Sequence, residues 1–116
     1  MKKYIITKHC SEDRLARLTY IGSTVGFGEN ILIEHYNPKT DHTERLMDNG
    51  LLLILDARGE ILITAFLIDF NRAYAMYKAN DKDIPVSVKR YFLSNVYKKI
   101  LSNAKKNCWL LIKNML

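Results

Sequence analysis

The sequence predicts an α+β fold in which helices pack on an antiparallel β-meander. Two observations indicate this: apolar segments separated by short turns fill residues 43–70, and residues 84–116 have a helical character. The chain has 116 residues, 48% of them hydrophobic, which is enough for one core without disulfides or metals. We therefore expect a single domain (residues 1–116), with a helix-plus-meander body over residues 1–83 and a basic helical arm after it.

A short extended segment and then a helix open the chain. Thr7 or Ser11 provides an N-cap for a helix that runs to about Tyr20. Glu12 and Asp13 fall in its first turn, where the helix dipole favours negative charge. The predicted fold therefore places an N-terminal helix on the sheet.

The meander follows. Residues 29–37 are compatible with either a short helix or a strand, and Pro38 ends that segment. The strands TERLMD and LLLILD flank Asn49-Gly50, a pair that accepts the positive φ angles of a type I′ turn. The turn DARGE then leads to a third strand, ILITAFLIDF.

A long basic helix, or a pair of helices, is predicted after Pro85, which suits a first helical turn. An apolar stripe at helical spacing faces the core or a partner. The stripe consists of Val88, Tyr91 or Phe92, Val96 and Ile100. We expect a break near Ser102 and Asn103.

Charge is distributed unevenly along the chain. Residues 84–116 contain seven Lys or Arg and no Asp or Glu, whereas residues 1–83 hold 11 Lys or Arg and all 12 acidic residues. This asymmetry is typical of a protein that binds nucleic acid, an acidic protein or an anionic membrane surface, although it also fits a solvated helix surface. The predicted nucleic-acid-binding residues are Lys89, Arg90, Lys98, Lys99, Lys105 and Lys106.

No metal or other cofactor is predicted. Cys10 and Cys108 have neither CxxC spacing nor a paired histidine, and His9, His35 and His42 have no ligand spacing. The N-terminus lacks the apolar core of a signal peptide, and no segment is long enough to span a membrane. We expect a cytoplasmic protein.

Two segments resemble the Barnase–EndoU–colicin–RelE superfamily of metal-independent ribonucleases. They are ITKHC, which is followed by arginines, and NGLLLILDARGEILITAF. Many of these proteins are toxins of phages and mobile elements. The resemblance covers about residues 5–66. It implies an intracellular ribonuclease in which a helix supplies His and Arg, the sheet supplies a Thr or Ser and further basic groups, and no metal takes part.

Carried onto this chain, the resemblance assigns His9 as the helix histidine, Arg17 as the second helix arginine and Thr64 as the sheet threonine. The first helix arginine is expected four residues after the histidine, where this chain has Asp13. Arg14 lies one residue later, about 100° around the helix. This departure leaves open whether catalysis is retained or the scaffold only binds.

Cleavage by attack of a 2′-hydroxyl requires a base, an acid and cations around the phosphate. Arg45 opens the first meander strand, where it either projects over the sheet face beside Thr64 or pairs with Glu60 or Glu44. The predicted catalytic residues are His9, Arg17, Arg45 and Thr64.

Three functions therefore remain, and the least specific is a host-interaction or structural phage protein with no nucleic-acid role. One is a metal-independent ribonuclease of phage or mobile-element type. The alternative is a non-catalytic protein that binds nucleic acid, another polyanion or an acidic protein through the basic C-terminal helix. The apolar end CWLLIKNML packs on the meander, or it contacts an antitoxin or a second copy of the chain.

Overall fold

The computed structural model of the protein describes residues 5–6 and 28–103. The strands are β1 (Ile5–Ile6), β2 (Ile31–Asn37), β3 (His42–Met47), β4 (Leu51–Asp56) and β5 (Ile61–Leu67). The helices are α1 (Phe70–Ala79), α2 (Val86–Leu93) and α3, which begins at residue 95 and is described to residue 103. The α+β class is confirmed, while the predicted N-terminal helix lies outside the described residues.

The five strands form one sheet in the order β1-β5-β4-β3-β2. Strands β2 to β5 are an antiparallel meander, and β1 joins its far edge parallel to β5. The predicted meander is confirmed and gains a strand, since residues 31–37 form β2 rather than a helix and end just before Pro38.

The loop between β3 and β4 differs from the predicted two-residue type I′ turn. Leu46 pairs with Leu52, and the Gly50 amide donates to the Met47 carbonyl at 3.0 Å, which leaves a three-residue loop. The φ angle is positive at Gly50 (92°) and not at Asn49. This is the pattern of a tight turn followed by a left-handed glycine. The loop is one residue longer than the sequence predicted.

Each face of the sheet carries its own apolar core. The face on which the helices pack, here called the helical face, contributes Ile33, Leu46 and Leu52 to a core with Ala73, Met76, Tyr77, Val88, Phe92 and Tyr97. The opposite face holds the second core: Met47, Leu51, Leu53, Leu55, Leu62 and Ala65. Because both faces of the sheet are apolar, the burial of each polar side chain on the sheet requires an explanation.

The C-terminal helix breaks at Ser94, eight residues before the predicted break at Ser102. Ser94 has extended backbone angles (φ −69°, ψ 150°), and its hydroxyl oxygen accepts the Tyr97 amide at 3.1 Å, so it caps α3. The break shifts the phase of the helix. Tyr97 is therefore buried, and Val96, predicted in the apolar stripe, is 70% exposed.

Two tyrosines join α2 and α3 to the sheet. The Tyr97 hydroxyl donates to the Ile68 carbonyl at 2.5 Å, and the Tyr91 hydroxyl donates to the Asn49 carbonyl at 2.8 Å. Burial raises the pKa of Tyr97 well above its usual value. The Tyr97 hydroxyl also lies 3.3 Å from the Gly50 carbonyl, so both tyrosines hold the β3–β4 loop.

Candidate functional site

The four predicted catalytic residues do not form one described cluster. His9 and Arg17 lie outside the described residues. Arg45 pairs with Leu53 across β3 and β4, whereas Thr64 pairs with Ile54 across β5 and β4. Consecutive residues of a strand point to opposite faces, so Arg45 and Thr64 lie on opposite faces of the sheet. The prediction that Arg45 lies beside Thr64 is wrong.

Arg45 is a buried cation with a fixed carboxylate partner. Its side chain is 7% exposed, and its Nε and Nη2 atoms lie 3.2 and 3.4 Å from the two carboxylate oxygens of Glu34. Glu34 is its direct neighbour on β2, so the predicted pairing with Glu44 or Glu60 is also replaced. The two-point geometry is the strongest form of a guanidinium–carboxylate pair, which assigns Arg45 a structural role.

Thr64 belongs instead to a row of side chains that crosses the helical face. The register places His35 opposite Glu44, Glu44 opposite Ile54, and Ile54 opposite Thr64. Directly opposed residues in an antiparallel pair have Cβ atoms about 4.5–5.5 Å apart. His35 and Glu44 are both partly buried. An imidazole and a carboxylate therefore meet on the sheet, and a hydroxyl lies on the same face.

Arg72 reaches this row from α1. Its backbone amide donates to the Asp69 side chain at 2.9 Å, which fixes the first turn of the helix. Its Nη2 atom lies 4.0 Å from Glu44 Oε1, and its guanidinium carbon lies 5.5 Å from the centre of the Phe66 ring. We call His35, Glu44, Thr64 and Arg72 the polar row.

The Thr64 hydroxyl is buried and has no hydrogen-bond partner within the described part of the chain. The residue is only 9% exposed. An unpaired buried hydroxyl costs about 1–3 kcal/mol. Ile54 separates Thr64 from Glu44 along the row, so the hydroxyl lies on the same face as the carboxylate but not against it.

Asp56 lies next to the polar row: it is two residues beyond Ile54 on β4 and pairs with His42 on β3. Its carboxylate accepts the amides of Ile61 and Glu60 at 3.1 and 2.8 Å, and these bonds hold the pKa of Asp56 below its usual value. It closes the β4–β5 turn. We therefore count Asp56 as a structural carboxylate rather than as a member of the row.

A second candidate surface lies on the helices after α1. Val88, Phe92 and Tyr97 are buried, and this orientation leaves four cationic side chains exposed. We call these four the basic helical surface: Lys89, Arg90, Lys98 and Lys99. Lys105 and Lys106, predicted with them, lie outside the described residues.

Within the described residues, no group of three or more His, Cys, Asp and Glu side chains is placed to hold a metal ion. Of the helices that the structure describes, none has the length and apolar character needed to cross a membrane.

Sequence reasoning missed His35, Glu44 and Arg72 as site residues. Single histidines and glutamates in a strand carry no motif, and their meeting depends on the register of β2, β3 and β4. The available signal was spacing: His35 and Glu44 lie at matching distances from a four-residue turn at residues 38–41.

Comparison with known proteins found no family model, no curated protein and no solved structure that matches the chain. The similarity of residues 5–66 to the metal-independent ribonucleases therefore stays a prediction. The polar row and the basic helical surface are defined by geometry and charge alone.

Proposed function

We propose that the protein binds RNA through the basic helical surface. The observation that carries this proposal is the exposure of Lys89, Arg90, Lys98 and Lys99 on α2 and α3, in a segment without acidic residues from position 84 onward. Cations without interspersed carboxylates create the positive potential that attracts a phosphate backbone.

The acidic residue that is nearest to this surface in the sequence already has a cationic partner. Asp83 precedes α2 and already accepts Lys78 Nζ at 3.3 Å. The inner sides of α2 and α3 are fixed by Phe92 and Tyr97, so the cations are presented on a firm support rather than on a loose tail. The resemblance of residues 5–66 to ribonucleases favours RNA among the polyanions.

The test is the salt dependence of binding to a labelled single-stranded RNA, followed by fluorescence polarisation. Four phosphate contacts predict that log K falls with log[salt] with a slope of about −3. Lys98→Gln/Lys99→Gln should weaken binding at low salt and flatten the slope by about 1.4.

Lys39→Gln/Lys82→Gln is the matched control, because it removes the same charge from two exposed lysines elsewhere. It should leave the slope close to that of the wild type. An equal loss in both double variants, or a flat salt dependence in the wild type, would contradict the proposal.

A second candidate function is metal-independent RNA cleavage, which the resemblance implies. The buried Thr64 hydroxyl without a described partner favours it. RNA cleavage in EDTA by the wild type beside His9→Ala tests this candidate. Cleavage that depends on His9 supports the residue assignment that the resemblance implies, and its absence in carefully purified wild type leaves RNA binding alone.

A further inference from the structure

We propose that the outer edge of β2 is a dimer interface, at which β2 pairs antiparallel with β2 of a second copy of the chain. β2 forms one edge of the described sheet, and its inner side pairs with β3. An edge strand presents a row of backbone N–H and C=O groups with which a further strand can pair. The dimer would form whether or not the protein binds RNA.

The side chains of β2 are exposed in the way expected of an uncovered edge. Ile31 and Tyr36, near the two ends of the strand, are 51% and 48% exposed, and the Glu34 side chain between them is 45% exposed. The strand contains neither lysine nor proline, two residues that protect edges from pairing. The opposite edge of the described sheet is β1, which spans two residues. β2 is therefore the edge with the longer pairing surface.

The regular part of β2 is symmetric about His35. β2 keeps one register with β3 from Ile33 to Asn37, whereas a bulge interrupts the register between Ile31 and Ile33. A two-fold axis through an antiparallel pair of identical strands places one residue opposite itself. The regular segment pairs over its full length only when that residue is His35, which lies at its centre.

This register also keeps like charges apart. It places Glu34 of each copy opposite Tyr36 of the other, and Ile33 then lies opposite Asn37. An axis at Glu34 would instead oppose two carboxylates, which is destabilising. An axis at Tyr36 would shorten the regular pairing and bring Pro38, which has no amide donor, into the strand. The strand therefore favours one register with a second copy of itself.

The position of α1 is compatible with this pairing. Ala73, Met76 and Tyr77 of α1 share a core with Ile33 on the helical face. His35 lies two residues further along β2 and is only partly buried. A two-fold axis normal to the sheet at His35 therefore puts the two α1 helices toward opposite ends of the interface. The helices of both copies lie on the same face of the combined sheet.

Sedimentation equilibrium of the full chain over a range of concentrations tests the dimer, and two substitutions at Tyr36 test its register. Tyr36→Glu opposes two carboxylates, and the symmetry of the dimer makes this contact twice. Tyr36→Lys opposes a lysine and Glu34 instead. Both variants lose the same ring and the same hydrogen bond to Asp41. The dissociation constant of the dimer should be about 10-fold or more higher in Tyr36→Glu than in Tyr36→Lys. Thermal unfolding confirms that both variants are folded.

Cysteine crosslinking measures the register directly, in a chain that carries Cys10→Ser and Cys108→Ser. His35→Cys puts its two copies opposite each other with Cα atoms about 4.5–5.5 Å apart, which is within the range of a disulfide. Tyr36→Cys is the matched control, because its two copies lie roughly 8 Å apart, beyond that range. Mild oxidation should crosslink the first variant and leave the second uncrosslinked on a non-reducing gel.

A chain that is monomeric at every concentration overturns this inference. Equal dissociation constants in Tyr36→Glu and Tyr36→Lys overturn it too, as does crosslinking of Tyr36→Cys in preference to His35→Cys. RNA binding is measured on the same samples. A dimer that does not bind RNA would support the interface while the proposed function fails, and a monomer that binds RNA would do the reverse.

Discussion

The aromatic ring of Tyr97 lies directly against the backbone of Gly50, so closely that a β-carbon at Gly50 would overlap the ring. Gly50 also has a φ of 92°, which side chains other than glycine rarely adopt. The contact joins α3 to the loop that sets the register of β3 and β4.

We expect Gly50→Ala to lower the free energy of unfolding by about 3 kcal/mol, because overpacking and backbone strain add. Gly59→Ala is the comparison variant. Gly59 also has a positive φ (74°), but the nearest atom to its β-carbon position is Arg45 Nη2 at 3.0 Å, a tight contact rather than an overlap with a ring, so about 1 kcal/mol is expected. Urea unfolding measures both. Equal losses would contradict the role of the Tyr97 contact.

Stability should fall at alkaline pH in a way that depends on Tyr97. Burial raises the pKa of Tyr97 in the folded state, so the unfolded chain loses this proton first as the pH passes about 10. The unfolded state then binds fewer protons, and the free energy of unfolding decreases by about 1.4 kcal/mol per pH unit from this group.

The measurement is urea unfolding between pH 9 and about 11 for the wild type and Tyr97→Phe. Burial raises the pKa of Tyr77 and Tyr91 too, so only the difference between the two proteins reports on Tyr97. The variant should be less stable at neutral pH and lose less stability as the pH rises. Parallel curves would contradict this account.

Thr64→Val should raise the free energy of unfolding by about 1 kcal/mol, because valine has nearly the same shape and removes a buried hydroxyl without a described partner. Urea unfolding measures the change in the free energy of unfolding. A decrease in stability would mean that the hydroxyl is hydrogen-bonded in the folded protein.

The two glutamate–arginine pairs should respond differently to the same change. Glu34→Gln leaves the buried Arg45 charge without its carboxylate and should lower the free energy of unfolding by about 2 kcal/mol, since Glu34 itself is half exposed. Glu44→Gln should change it by less than about 0.5 kcal/mol. Chemical denaturation of both variants is the measurement, and a larger loss of stability in Glu44→Gln than in Glu34→Gln would contradict this ranking of the two pairs.

The class of fold could be predicted, and so could the meander, because apolar strands and glycine turns are local signals. The candidate site could not be predicted, because the β3–β4 loop is one residue longer than the sequence pattern indicates. A two-residue turn at Asn49-Gly50 would pair Arg45 with Ile54 and so place Arg45 on the face of Thr64. The observed three-residue loop pairs Arg45 with Leu53 instead. A shift of one residue exchanges the faces of every side chain in a strand, and it brings Glu44 to Thr64's side.

The predicted position of the break in the C-terminal helix was also wrong, because a local feature at Ser94 decides it. The sequence pattern of Val88, Phe92 and Val96 is continuous at helical spacing, so it predicts one stripe. The serine side chain competes for backbone hydrogen bonds and ends α2, as its bonds to the Tyr91 carbonyl and the Tyr97 amide show. Local hydrogen-bond competition of this kind does not appear in hydrophobic periodicity.

The parallel pairing of β1 with β5 has a consequence for the order of folding. Ile5 is aligned with Ile61, whereas the other strand pairs are neighbours in sequence joined by short turns. Pairing β1 with β5 closes the whole segment between Ile6 and Ile61, which loses more chain entropy than closing a hairpin. We therefore expect the four-stranded meander to form early and β1 to join afterwards. During synthesis on the ribosome, β1 emerges before the meander and can pair only after β5 has left the exit tunnel. A strand that is synthesised before the meander would then complete the sheet after it.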